Sequence, residues 1–190
     1  THKGAVFTLG LLSAGAGLLY AKNGKLSAEA ILDEVQNLVG DTLLRELAEL
    51  KAGEVGKAHG EAVLHRDGAG GVRSAAAKGF PVLRSVALPL LRQYGAEGQA
   101  TEASALNVLL HLILHVGDTN VLYRGGKEAL LTLRADCRRI LSHGGAFTSE
   151  GTALLYELKE TCKQRNISPG GAADLLSAAL FLLRIEKIFR

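Results

Sequence analysis

Two stretches of this 190-residue chain concentrate residue types that can do chemistry: DTNVLYRGG at 118–126 and RNISPGGAADLL at 165–176. Each sets acid, amide, arginine and paired glycines within a few residues, a mixture that suits a metal-bound polyphosphate. Asp118 can hold a hard cation, Asn120 and Arg124 can hydrogen-bond phosphate oxygens, and Gly125 and Gly126 let backbone N–H groups come close. In the second stretch Ser168 is a good N-cap, Pro169 fits the first helical position, and Gly170 and Gly171 leave first-turn N–H groups open to an anion. Asp174, a turn further on, suits either the helix dipole or a metal ion. An Asx-turn between helices and a well-capped helix account for the same residues without any ligand.

Further candidates lie outside these stretches. THKG at the start offers His2 and Lys3, with Lys3 a point charge for phosphate and Gly4 permitting close approach, or else a solvated end of a fragment. Arg73 and Lys78 flank a glycine-bounded loop and suit either a second anionic substrate or plain solvation. His111, His115 and Asp118 could share one helix face, a spacing open to a transition metal but more usual for hydrogen-bonded core histidines; His115 is better used beside a phosphate pocket. A Walker A sequence, a nucleophile elbow and a CxxC pair are all missing, and GLLSAGAG makes a poor dinucleotide fingerprint because no strand precedes it.

Helices must position these groups. Apolar residues recur three and four apart in ILDEVQNL (31–38), LLRELAEL (43–50), ALNVLLHLILHV (105–116), EALLTLRADCRRIL (128–141), ALLYELKETC (153–162) and DLLSAALFLLRIEKIF (174–189), and no alternating strand pattern stands out. Glycine-rich joints separate them at HRDGAGG (65–71), YGAEGQ (94–99) and SHGGAFTS (142–149). The expected fold is all-α, an orthogonal multi-helix bundle forming one domain over 1–190. Residues 4–21 carry no charge and approach membrane-span length, yet four glycines, Thr8 and Ser13 favour a buried, close-packed helix and no membrane association. No signal-peptide pattern is evident.

A hydrophobic content of 47% lets 190 residues bury a sizeable core. The net charge of +3 comes from basic residues scattered among acids, which argues against nucleic-acid binding. Cys137 and Cys162 show no metal spacing, so a reducing, cytoplasmic compartment is expected. The chain contains no methionine, so Thr1 is not expected to be a translational start.

Four segments in order, THKGAVFTLG (1–10), KGFPVLRSVALP (78–89), DTNVLYRGG and RNISPGGAADLL, resemble the triphosphoribosyl-dephospho-CoA synthases that make the prosthetic-group precursor of citrate lyase and malonate decarboxylase. The resemblance spans almost the whole chain. Family members run on for a substantial N-terminal region before the THKG segment, so 1–190 would be the C-terminal two-thirds of a longer chain; they also usually carry glycine and glutamate where Ser74 and Ala75 stand here. The resemblance implies a transferase using ATP and 3′-dephospho-CoA, releasing adenine, with Mg²⁺ expected. It implies catalytic and metal roles for Asp118 and Asp174, and phosphate binding by His2, Lys3, Asn120, Arg124, Gly125, Gly126, Ser168, Gly170 and Gly171. A helical nucleotide-binding fragment without turnover is the alternative, and a purely structural helical domain a third reading.

Overall fold

The computed structural model describes residues 3–53, 59–98 and 101–189. Among them are nine α-helices and no strand: α1 (Lys3–Asn23), α2 (Ala28–Ala52), α3 (His59–Asp67), α4 (Gly71–Ala77), α5 (Leu88–Ala96), α6 (Glu102–His115), α7 (Thr119–Ser142), α8 (Ser149–Gln164) and α9 (Gly170–Ile188). A π-helical turn, Leu83–Ala87, precedes α5, and a 3₁₀ turn, Gly145–Phe147, precedes α8. The all-α expectation holds.

ILDEVQNL and LLRELAEL, separate in the sequence pattern, form one helix. Ser27 starts α2 by accepting from the Ala30 N–H at 3.2 Å, and Gly40 continues the helix through the gap. A Cβ at Gly40 would lie 3.2 Å from the Ala77 carbonyl, so the bare backbone there lets α4 close onto α2.

The uncharged stretch 4–21 is helical, but only one face of it is buried. Thr8, Leu12, Gly15, Ala16 and Leu19 face α2 and α9, whereas Val6 is 70% exposed. Gly15 makes the tight approach: a Cβ there would stand 2.8 Å from a Val35 methyl. By length and composition α1 is apolar enough to cross a membrane, with a mean hydropathy of 1.6 and 28% of that window buried.

The core runs between α1, α2, α6, α7 and α9, with Leu12, Ile31, Leu32, Val108, Leu112, Val121 and Leu182 fully buried. Helices α6 and α7 meet at 65° across a break at residues 116–118, and α7 also packs on α3, α8 and α9. That corner brings the beginning of α7 beside the beginning of α9.

Candidate active site

Two helix starts meet at Asp118. This residue is the N-cap of α7: its Oδ1 accepts from the N–H groups of Asn120 at 2.9 Å and Val121 at 3.3 Å, closing orphan donors of the first turn. Its Oδ2 accepts from the Ala172 N–H of α9 at 3.2 Å, and the Gly171 N–H adds a further bond. A single carboxylate therefore caps both helices. The side chain is 2% exposed, and burial raises its pKa from the ordinary aspartate range even though four backbone N–H groups pull it down.

Glycine makes this approach possible. A Cβ on Gly171 would lie 3.0 Å from Asp118 Oδ2, and one on Gly170 2.6 Å from the Asn120 amide nitrogen. Thus the Asn120 amide and the Asp118 carboxylate both lie against the α9 start. The expected Ser168 cap is displaced by one residue: Pro169 holds the cap position of α9, without a side-chain bond, and Gly170 is the first helical residue. Nor is the first turn of α9 open, because Asp118 takes the Gly171 and Ala172 donors.

DTNVLYRGG is the opening of α7 and not a loop. The helix breaks at Gly126, whose φ of 69° and ψ of −169° belong to a region closed to L side chains. Two residues before that kink, the exposed Arg124 donates through Nη1 to the Asn166 carbonyl at 3.0 Å and to Asn166 Oδ1 at 3.1 Å. Asn166 holds a left-handed φ of 53° in the turn before α9, a conformation asparagine tolerates. Nothing in the type or spacing of Asn166 within RNISPGGAADLL signals this contact, because its partner lies on another helix.

The N-terminal segment joins the same end of the bundle. A Cβ on Gly4 would stand 2.2 Å from Asp174 Oδ2, so the half-buried Asp174 carboxylate lies against the first turn of α1. Lys3, exposed, begins that helix, and His2 lies outside the described residues. Asp118, Asn120, Arg124, Gly170, Gly171 and Asp174 are thereby assembled from α7 and α9 with Gly4 of α1 alongside. Arg73 sits on α4, which packs along α2, and Lys78 is exposed beyond it.

Other candidates play smaller parts. Burial and the neighbouring His115 lower the His111 pKa, and among the described residues no group of three or more His, Cys, Asp or Glu is arranged to hold a metal. Cys137 and Cys162 are free, and burial pushes the Cys137 thiol up to about 12, which leaves it protonated and unreactive. A cavity of about 100 Å³ between α7 and α8, lined by Asp136, Arg139, Leu154 and Glu157, is smaller than a nucleotide site.

The whole chain, residues 1–190, matches the model of one protein family, described as ATP:dephospho-CoA triphosphoribosyl transferase. The chain belongs to that family. It is 37% identical over 182 residues to a Salmonella gallinarum protein named probable 2-(5″-triphosphoribosyl)-3′-dephosphocoenzyme-A synthase, which covers 96% of this chain. A Klebsiella pneumoniae synthase of the same name, without the qualifier, is 35% identical over 182 residues, and an Albidiferax ferrireducens relative is 35% identical over 99% of the chain. The chain spans about 60% of the length of these triphosphoribosyl transferase relatives. No solved structure matches it.

Proposed function

We propose that this chain provides the triphosphate-handling part of a triphosphoribosyl transferase that joins ATP to 3′-dephospho-CoA and releases adenine. The observation that carries this reading is the double cap at Asp118, which joins the two anion-suited motifs into one site. Asp118 already uses first-turn donors of both helices, so the phosphate contacts fall chiefly to the exposed Arg124, whose guanidinium has N–H groups beyond those bound to Asn166. Asn120, Ser168 and the backbone at Gly125, Gly126 and Gly170 supply neutral donors, with Lys3 at the start of α1 as a point charge.

In the reaction, the 2′-hydroxyl oxygen of dephospho-CoA attacks the anomeric carbon of the ATP ribose. The carbon–nitrogen bond to adenine breaks, the hydroxyl proton is lost, and adenine leaves carrying a proton, with the triphosphate retained on the ribose. Positive charge develops at the anomeric carbon, so a nearby carboxylate lowers the barrier.

Magnesium takes one or two carboxylates plus phosphate oxygens and waters. Asp174 fits that habit. Asp118 fits it less well, since it is enclosed and its oxygens already accept four N–H groups; we assign it to building the site. The cation would neutralise phosphate charge. Asp174→Asn is then expected to weaken ATP binding more in magnesium than in chelator, and an equal loss in both by calorimetry would remove the metal role.

The cytoplasm, where thiols stay reduced, is the proposed location. Following free adenine from ATP, magnesium and dephospho-CoA tests the reaction. ATP binding with no adenine release would instead select nucleotide binding without turnover. No ATP binding at all would overturn both.

A further inference from the structure

HRDGAGG, which the sequence marks only as a joint, is built into the site from the α3 side. A Cβ on Gly71 would lie 3.1 Å from the Thr119 methyl, and one on Gly117 would lie 3.8 Å from Ala69 Cβ, so the joint wraps the beginning of α7. Two charged residues inside it reach further. Arg66 donates through Nη2 to the carbonyl of Leu122, four residues before Gly126, and through Nε to Asp67 Oδ2 at 2.8 Å. On the other side of the kink, Lys127 Nζ stands 3.6 Å from Asp67 Oδ1. The Asp67 side chain is only 6% exposed, against 52% for Arg66 and 70% for Lys127. One nearly enclosed carboxylate thus pairs with Lys127 after the break in α7 and with Arg66, which itself bonds α7 before the break.

A helix interrupted at a glycine has a soft hinge there, because glycine adopts many backbone conformations at low cost. Arg124 lies two residues from that hinge, and its guanidinium reaches Asn166 across the gap to α9. We propose that Asp67 is a positioning residue which, through Arg66 and Lys127, sets the Gly126 kink and so aims Arg124 at the α9 start. The inference rests on the reading of that start as the triphosphate site. Removing the carboxylate would leave Arg66 and Lys127 without their shared anion and let the hinge sample other angles. The effect would fall on binding and local order.

The test combines amide hydrogen exchange across residues 119–127 with calorimetric ATP titration in magnesium, on the whole chain. For Asp67→Asn the expected result is roughly tenfold faster exchange near the kink and roughly five- to tenfold weaker ATP binding, with Asp67→Glu recovering part of both. Lys127→Met, at an exposed position, should move both readouts in the same direction by less, and it carries the test if Asp67→Asn fails to fold. Unchanged exchange overturns the proposal, as does faster exchange with unaltered ATP affinity. A wild-type chain that does not bind ATP refutes the proposed function, and that titration is separate from the exchange arm, which still decides whether Asp67 holds the kink.

Discussion

Two carboxylate junctions hold helices of this bundle together by opposite means. At Asp118 a buried acid joins α7 and α9 through backbone N–H groups alone. At the other junction Arg92 of α5 binds Glu29 of α2 at 2.6 Å and Glu186 of α9 at 3.2 Å, with side chains 37%, 46% and 10% exposed. Burial dominates at the first and raises the Asp118 pKa; the Arg92 hydrogen bond dominates at the second and lowers the Glu29 pKa. The enclosed junction has geometry that only aspartate or a close relative can supply. The guanidinium junction is partly solvated and tolerant, which suits a purely mechanical tie.

The largest expected effect comes from Asp118→Ala. It uncaps two helices and strands buried donors, costing on the order of 3 kcal/mol of unfolding free energy in urea titration. A loss no greater than that of an exposed substitution would end the double-cap account. Gly126→Ala follows: forcing an L side chain into that backbone conformation should cost about 2 kcal/mol, or else straighten α7 and release Arg124 from Asn166. Thermal unfolding distinguishes a costly substitution from a neutral one. Arg92→Ala should lose about 1 kcal/mol, weakened further by salt, because most of that junction is reached by water.

Acid titration of stability sharpens the contrast by sign. Asp118 has a raised folded pKa, so its contribution is present below the ordinary aspartate value and is lost as pH rises through the folded one. Glu29 has a lowered folded pKa, so its contribution is present above the ordinary glutamate value and is lost as pH falls through the folded one. Comparing wild type with Asp118→Asn and Glu29→Gln between about pH 3 and pH 7 should therefore give stability differences that change in opposite directions. Parallel changes would mean that burial does not dominate at Asp118.

Helical periodicity made the fold legible, since apolar spacing of three and four survives any tertiary arrangement. The merging of 31–38 with 43–50 was not legible, because Gly40 reads as a break until the Ala77 carbonyl is seen against it. Likewise, DTNVLYRGG and RNISPGG declared their chemistry by composition, and the structure brings both to one corner. Which residue caps α9 was hidden, because the cap comes from a different helix and no local spacing encodes it. Asp67 escaped notice for a related reason: its partner Lys127 is distant in sequence, and a charge beside glycines looks like an ordinary loop.

The central claim, that the joined starts of α7 and α9 receive the triphosphate, is tested most directly at Arg124. This side chain is exposed and, among the described residues, its hydrogen bonds run to the Asn166 turn, so its removal should change folding stability by less than about 1 kcal/mol. Calorimetric titration of magnesium ATP into wild type and Arg124→Ala should show at least a roughly tenfold loss of affinity, the worth of one charge-assisted contact to phosphate. Equal affinities in the two proteins would contradict the account and return both motifs to the role of well-capped helices.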